Sequence, residues 1–381
     1  MDFALNADQK MTVETAQAML GEHSSSERVR LAMQTDAGVD PALWALMAQQ
    51  LGWCSLSIPE EYEGVGQGDL DLALLLEQMG YHLSCVPFFA TVVLAAKSLE
   101  YAAATHAQAH YLPRIAAGEL RATLAWSQLS SVADSEPKLR RTDDGLLLEG
   151  CVPYVLDAVS ADMLLIPARS EEGQLCLVAL PSDALGLTVH PLRTLDTTRR
   201  FADLDLSQVR LTDEAIISAG DVTAPLQRVA DLARILLAAE QLGGAQRCLD
   251  LTVAYASERV QFGRTIASFQ AIKHRCAEMM VKIEATRSMV YGAGIMASSL
   301  DEDSLAMEAA AAKSMASETY FYCSQEAIQL HGGVGFTWEY DPHLYFKRAQ
   351  ASSAWLGAAD SLLAGIAAFL LDGKEEVTHA S

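Results

Sequence analysis

Eleven prolines punctuate this chain of 381 residues, and all but Pro342 fall at or before Pro225. Proline lacks the amide donor that a helix interior needs, and its ring collides with the preceding turn. The stretch between Pro225 and Pro342 is therefore free to form long helices. It is rich in Ala, Leu, Met and Glu, which favour them. Leu232, Ile235, Leu236, Ala239, Leu242 and Ala245 recur at helical spacing, as Met279, Val281, Ile283 and Met289 do more loosely. This pattern predicts a bundle of long helices over residues 224–381.

The first 120 residues also read as helical, with wide apolar faces on Leu43 to Leu51 and Leu70 to Met79. Between them lies a loop ending in Gly64-Val65-Gly66-Gln67-Gly68. It does not complete a GxGxxG pattern and follows no strand, so it reads as a turn between helices. Residues 121–223 differ. Short apolar runs (Leu146 to Leu148, Met163 to Ile166, Leu175 to Val178) alternate with turn signals at Asp143-Asp144-Gly145, Glu171-Glu172-Gly173 and Pro181-Ser182-Asp183. These fit strands joined by hairpins. The expected order is helices, a small β domain, then helices.

Hydrophobic residues make up 51% of the chain, which argues against disorder. A formal net charge of -22 disfavours nucleic acid and anionic lipid as partners. The seven cysteines are scattered without a CxxC pair, as expected of reduced thiols in a cytoplasm. The N-terminus shows neither a basic nor an apolar leader segment, so no signal peptide is expected. Apolar runs such as Ala90 to Ala96 are too short to span a membrane. No P-loop, nucleophile elbow, HExxH or EF-hand pattern occurs, and the histidines show no metal-ligand spacing. No metal site is expected.

Two segments carry chemistry. Arg259-Val260-Gln261-Phe262-Gly263-Arg264, followed by Phe269-Gln270, lies near a predicted helix end that Gly263 would break. Arg259 and Arg264 offer planar donor forks to phosphate oxygens, and Phe262 offers a stacking face. Read alone, this is as readily an ordinary cluster at a helix end. The second segment, Gln329-Leu330-His331-Gly332-Gly333-Val334-Gly335-Phe336, tips the balance. Its three glycines free the backbone for close approach to a ligand. Gln329 donates and accepts at once, which suits a purine edge. A helix cap accounts for one such glycine, less readily for three.

These segments, with Ala271-Ile272 after Gln270 and with Glu339-Tyr340, resemble the acyl-CoA dehydrogenase family. Met1-Asp2-Phe3, Ile58-Pro59-Glu60-Glu61-Tyr62 and Leu112 to Leu120 are similar to its N-terminal domain, so the resemblance covers nearly the whole chain. It implies an α+β multidomain fold. An N-terminal helical domain (1–120) is followed by a central β-barrel-like domain (121–223) and a C-terminal four-helix bundle (224–381). It also implies FAD, an acyl-CoA substrate and electron-transfer flavoprotein as acceptor. In the family, one subunit holds the flavin ring and the thioester, while its neighbour grips the pyrophosphate and adenine. Carried over, this chain's neighbour-side contacts are Arg259, Val260, Gln261, Phe262, Phe269, Gln270, Gln329 and Gly333.

The chain departs from the family where chemistry is expected. Many members place the base, a glutamate, in a Tyr-Glu-Gly-Thr loop; here the loop reads Trp355-Leu356-Gly357-Ala358. Another branch places it on the first bundle helix, where this chain has Ala233. Glu240 lies two helical turns beyond Ala233 on the same face, in the apolar setting that tunes a carboxylate towards base chemistry. Its bland reading is an ion-pair partner within the subunit. Asp360 is a weaker candidate that also suits a helix start. The family's flavin-facing threonine aligns with Leu156, and the region of its Thr-Glu and Gly-Ser-Asp-type stretch here reads Trp126-Ser127-Gln128-Leu129-Ser130-Ser131.

One account covers both halves of this pattern. The chain is expected to be the subunit of a heteromeric acyl-CoA dehydrogenase that lacks the usual glutamate, paired with a paralogue that carries it. Such heteromers act on steroid side chains and other bulky acyl-CoAs. The alternatives are a homomeric dehydrogenase with Glu240 as relocated base, and a non-catalytic acyl-CoA-binding or scaffold protein.

Overall fold

A computed structural model describes residues 5–130, 136–143 and 145–372. The expectations placed on Met1-Asp2-Phe3 and Asp144 lie outside the described residues. The chain opens with α1 (Ala7–His23), α2 (Ser26–Met33), α3 (Pro41–Ala45), α4 (Asp69–Tyr81), α5 (Lys97–Ala102) and α6 (Thr105–Ala116). Strands β1 (Ala122–Leu124), β2 (Lys138–Thr142), β3 (Gly145–Leu156), β4 (Met163–Arg169), β5 (Leu175–Pro181), β6 (Leu187–Pro191) and β7 (Phe201–Leu211) follow. Then come α7 (Thr223–Glu258), the short strands β8 (Val260–Gln261) and β9 (Arg264–Thr265), and α8 (Gln270–Met296). The chain continues through α9 (Glu302–His331), α10 (Pro342–Ala354) and α11 (Ala359–Asp372). This is the expected class: helices, a central sheet, then helices.

The described chain forms two compact units. One gathers residues 27–72 and 85–233. Its sheet runs in the order β1-β4-β2-β3-β7-β6, with β5 on β4. β1 pairs with β4 in parallel, while β4–β5, β2–β3, β3–β7 and β6–β7 are antiparallel. The long β3–β7 pair carries register breaks between Leu148 and Gly150 and between Val152 and Val155. Such bulges strengthen local twist, and the sheet curls as an open half-barrel. On β7, Ala202, Leu204 and Leu206 are buried in alternation. Gln208, at φ 59°, then shifts the phase so that Val209 returns to the core. The turn at Glu171-Glu172-Gly173 joins β4 to β5, as expected from its sequence.

The other unit comprises residues 5–26, 73–84 and 234–372. The six apolar positions read as one helical face, Leu232 to Ala245, are all buried on α7. The looser series on α8 splits: Met279 and Ile283 are buried, but Val281 is exposed. Mid-helix glycine costs roughly 1 kcal/mol against alanine, yet α7 carries Gly243-Gly244. A Cβ on Gly243 would overlap the Glu77 carbonyl oxygen of α4. That crossing admits no side chain. α9 packs against α8, α10 and α11 to complete the bundle. Residues 342–371 are long and apolar enough to cross a membrane by composition alone. The chain instead turns between α10 and α11, with positive φ at Leu356 and Gly357.

Candidate functional site

Helix α7 ends at Glu258, and the chain reverses at once in the β8–β9 hairpin. Val260 pairs with Thr265 and Gln261 with Arg264, which leaves Phe262-Gly263 as a two-residue turn. Both turn residues have positive φ, 54° and 76°. A two-residue turn of this hand matches the twist of its strands, and glycine enters it without steric cost. Phenylalanine does not, so Phe262 is held in a sparsely populated conformation while 91% exposed. Its ring meets Phe269 edge-on at 6.2 Å, and the Arg264 guanidinium lies 4.0 Å from the Phe269 centroid.

An aromatic stack fixes where helix α9 ends. His331, in its last turn, is buried and donates from Nδ1 to the Ala327 carbonyl at 2.7 Å. Its ring stacks on Tyr255 of α7 at 4.4 Å, and Tyr340 closes on both edge-to-face. Burial lowers the His331 pKa, although the bond to Ala327 pulls the other way. The stack is thus an apolar clamp. It holds the last turn of α7, four residues before Arg259, against the last turn of α9, where Gln329 and Gly333 lie.

After the clamp the backbone opens. Gly332 has φ 66° and ψ -143°, a region open to glycine alone. A Cβ on Gly332 or Gly333 would meet nothing within 4 Å. Gly335 differs: its Cβ would come 2.7 Å from the Ile328 carbonyl oxygen. One glycine serves packing and two leave bare backbone. Gln270 opens α8 and is exposed, as are Arg259 and Gln329. Gln261 turns its amide back onto the Val260 carbonyl at 3.0 Å.

The residues present fit a pyrophosphate-bearing cofactor. Arg264 is engaged with an aromatic ring, whereas the exposed Arg259 forms no ion pair among the described residues. Two side-chain amides and a stretch of uncovered backbone stand on the same end of the bundle. Such a set supplies one guanidinium fork and several neutral donors to an anion.

The remaining candidates are differently placed. Glu240 is buried on α7, and Arg348 Nη1 of α10 lies 2.7 Å from its Oε1. Arg348 is itself 3% exposed. Leu356 is buried with φ 62°, and its carbonyl accepts from Arg234 Nε at 2.9 Å. Asp360 is exposed in the first turn of α11. In the sheet unit, Leu156 is buried and its carbonyl accepts from Thr123 Oγ1 at 2.8 Å. Ser127 is buried beside Trp126, whose Nε1 meets no partner among the described residues. Sequence reasoning missed Tyr255, Arg348, Arg234 and the buried Lys313. No local spacing marks them, because each acts across the bundle.

Comparison with known proteins shows the family. Residues 6–119 match the model of the acyl-CoA dehydrogenase N-terminal domain, and residues 225–371 that of the C-terminal domain. The acyl-CoA dehydrogenase IpdE2 of Mycolicibacterium smegmatis is 35% identical, covering 93% of this chain and 96% of its own. A solved structure of the ChsE4-ChsE5 complex from Mycobacterium tuberculosis is similar with a TM-score of 0.88 at 25% identity, covering 97% of this chain and 99% of that one. A variant of the Tcur3481-Tcur3483 steroid acyl-CoA dehydrogenase gives 0.85 at 28% identity, covering 97% and 99%. Butyryl-CoA dehydrogenase of Megasphaera elsdenii shares the fold, with a TM-score of 0.88 at 23% identity over 97% of this chain and 100% of its own. With family models, fold and relatives in agreement, this chain belongs to the acyl-CoA dehydrogenase family.

Proposed function

We propose that this chain is the base-deficient subunit of a heteromeric, FAD-dependent acyl-CoA dehydrogenase. The observation that carries the reading is the state of its stronger candidate base. Glu240 is buried and paired with Arg348, a geometry that satisfies the carboxylate within the bundle. To accept a substrate proton it would have to leave that guanidinium. At the other two positions familiar from the resemblance stand Leu356 and Ala233, both buried and neither able to accept a proton.

The solvent-facing half-site supports the complementary role. When bound, FAD supplies the hydride acceptor. Arg259 would hold its pyrophosphate, with Gln270, Gln329 and the Gly333 backbone as neutral donors and Phe262 as a stacking face. Val260, Gln261 and Phe269 frame the hairpin that presents them. All of these residues but the half-buried Phe269 are exposed, as expected of contacts made to a cofactor whose ring sits in a neighbouring chain. That two of the similar solved structures are named as pairs of chains, one of them a steroid enzyme, supports a paralogous partner and a bulky acyl-CoA substrate. Electrons would pass to an electron-transfer flavoprotein. The free cysteines fit a cytoplasmic setting.

The test is production of the chain alone and together with its paralogue. Alone, it should bind little flavin and leave acyl-CoA unoxidised. Together, they should form a yellow complex whose flavin bleaches on substrate addition. A yellow, active homo-oligomer from the single chain would overturn the reading in favour of a self-assembled enzyme with Glu240 as base. Acyl-CoA binding without flavin in either preparation would favour the scaffold reading.

A further inference from the structure

The bundle contains a second ionisable group that the family chemistry does not use. Lys313 of α9 is fully buried. Its amine donates to Ser317 Oγ at 2.7 Å and to the Ser353 carbonyl at 3.2 Å. Ser317 donates to Gln241 Oε1 at 3.2 Å, and Gln241 Nε2 donates to Ser352 Oγ at 3.0 Å. Both acceptors of the amine are neutral, and among the described residues Lys313 forms no ion pair. A neutral amine has two N–H groups, which these two acceptors satisfy. An ammonium has three, and the third would be buried without a partner.

The surroundings sharpen this. Arg234 of α7 is the charged neighbour that acts on Lys313, and it repels a second positive charge. Further along the same α7 and α10 faces, Glu240 is already committed to Arg348. From α8, Thr286 meets Thr319, both uncharged, while the charged contacts of α8 on α9, Arg275 with Glu326 and Lys282 over Tyr322, lie more than two helical turns beyond Lys313. α11 contributes Asp360, which is exposed. The other lysine buried among the described residues makes the contrast. Burial pulls Lys97 down, but Asp69 at 3.5 Å and Glu100 at 3.2 Å hold its pKa above the usual lysine value. Lys313 has no such carboxylates, and burial with Arg234 lowers its pKa to about 7.

Lys313 and Arg234 also hold the same piece of chain. Lys313 grips the Ser353 carbonyl at the end of α10, and Arg234 grips the Leu356 carbonyl three residues on. Between these carbonyls lies the buried Trp355, and the positive-φ turn begins at Leu356 and runs on to Gly357. We propose that Lys313 is a neutral amine in the closed fold and acts as a proton-operated latch on the loop Ser353 to Gly357, which its protonation releases. On protonation, the ammonium needs a third acceptor, and water entering to provide one must displace the Ser353 end of the loop. Lys313 is thus a positioning residue for the segment that replaces the family's base loop. The inference concerns loop conformation, so it holds or fails independently of the heteromeric reading.

Tryptophan emission of the full chain, followed from pH 9 to pH 6, tests it, with Trp355→Phe identifying the Trp355 contribution. The expected result is a reversible red shift with a midpoint near neutrality, absent in Trp355→Phe and absent in Lys313→Met. An emission that stays flat in the unmodified chain, or an identical shift in Lys313→Met, would overturn the proposal. Should Lys313→Met fail to fold, the unmodified chain labelled with ε-13C lysine decides. One lysine in the neutral form at pH 8, titrating with the emission midpoint, supports the latch. Every lysine protonated at pH 8, or two different midpoints, refutes it.

Discussion

Glu240 and Arg348 are both buried, and their 2.7 Å contact fastens α7 to α10 across the bundle. Desolvating two charges costs several kcal/mol per ion, which close pairing and further bonds offset. Removing one partner takes a charge-assisted bond from a charged group that stays buried. Arg348→Met is therefore expected to destabilise the fold by about 3–5 kcal/mol. The double variant Glu240→Leu with Arg348→Met should recover most of that loss. Urea denaturation of the single and double variants checks this; a double variant as weak as Arg348→Met would show that the pair has another role.

In the assembled flavoprotein, Arg259→Ala should weaken FAD retention by about 1.5–3 kcal/mol, the worth of one charge-assisted hydrogen bond. Arg259→Lys should recover only part, because an ammonium does not present a planar fork. Fluorescence titration with FAD reads the change. Full retention in Arg259→Ala would remove this residue from the site.

The α4–α7 crossing predicts two intolerant positions. A Cβ on Gly80 would overlap the Glu240 carbonyl oxygen, and one on Gly243 would overlap that of Glu77. Each obstacle is helix backbone, which cannot swing aside as a side chain does. Gly80→Ala and Gly243→Ala should each cost about 3 kcal/mol, at the upper end of overpacking effects. Gly333→Ala, by contrast, meets open space and should leave thermal stability nearly unchanged. Melting temperatures of the three variants separate these cases.

Lys313 sets a pH dependence of stability with a definite sign. Its pKa in the fold, about 7, lies below the lysine value of 10.5. Between these limits the unfolded chain binds the proton and the folded chain does not. Stability should therefore rise with pH across this window, by at most about 1.4 kcal/mol per pH unit for one proton. Below pH 7 both states are protonated and the penalty stays constant. Lys313→Met should be more stable at pH 7 and should lose this part of the slope. Denaturation midpoints at pH 7, 8 and 9 make the comparison, and equal slopes in both proteins would contradict it.

The candidate half-site was legible as a constellation because it is local. Arg259 to Gln270 forms one hairpin and one helix start, so turn chemistry and donor type are written in consecutive residues. Gln329 to Gly335 is likewise a single helix end. What brings the two segments side by side was not legible. Tyr255 and His331 lie on different helices, and neither carries a local signal for stacking on the other.

Helix, strand and turn follow from short-range rules: proline disfavours helix interiors, apolar period selects a face, and glycine permits unusual φ. These determined the class and order of the elements from the sequence by itself. The states of Glu240 and Lys313 are different in kind. Both are ionisable residues on apolar helices, and nothing within a few positions distinguishes a base, an ion-pair partner or a neutral amine. Only the tertiary structure decided what surrounds each, by setting Arg348 against one and Ser317, Ser353 and Arg234 around the other. Electrostatics in a low-dielectric interior depends on which charges lie within a few ångströms in space, whatever their separation along the chain.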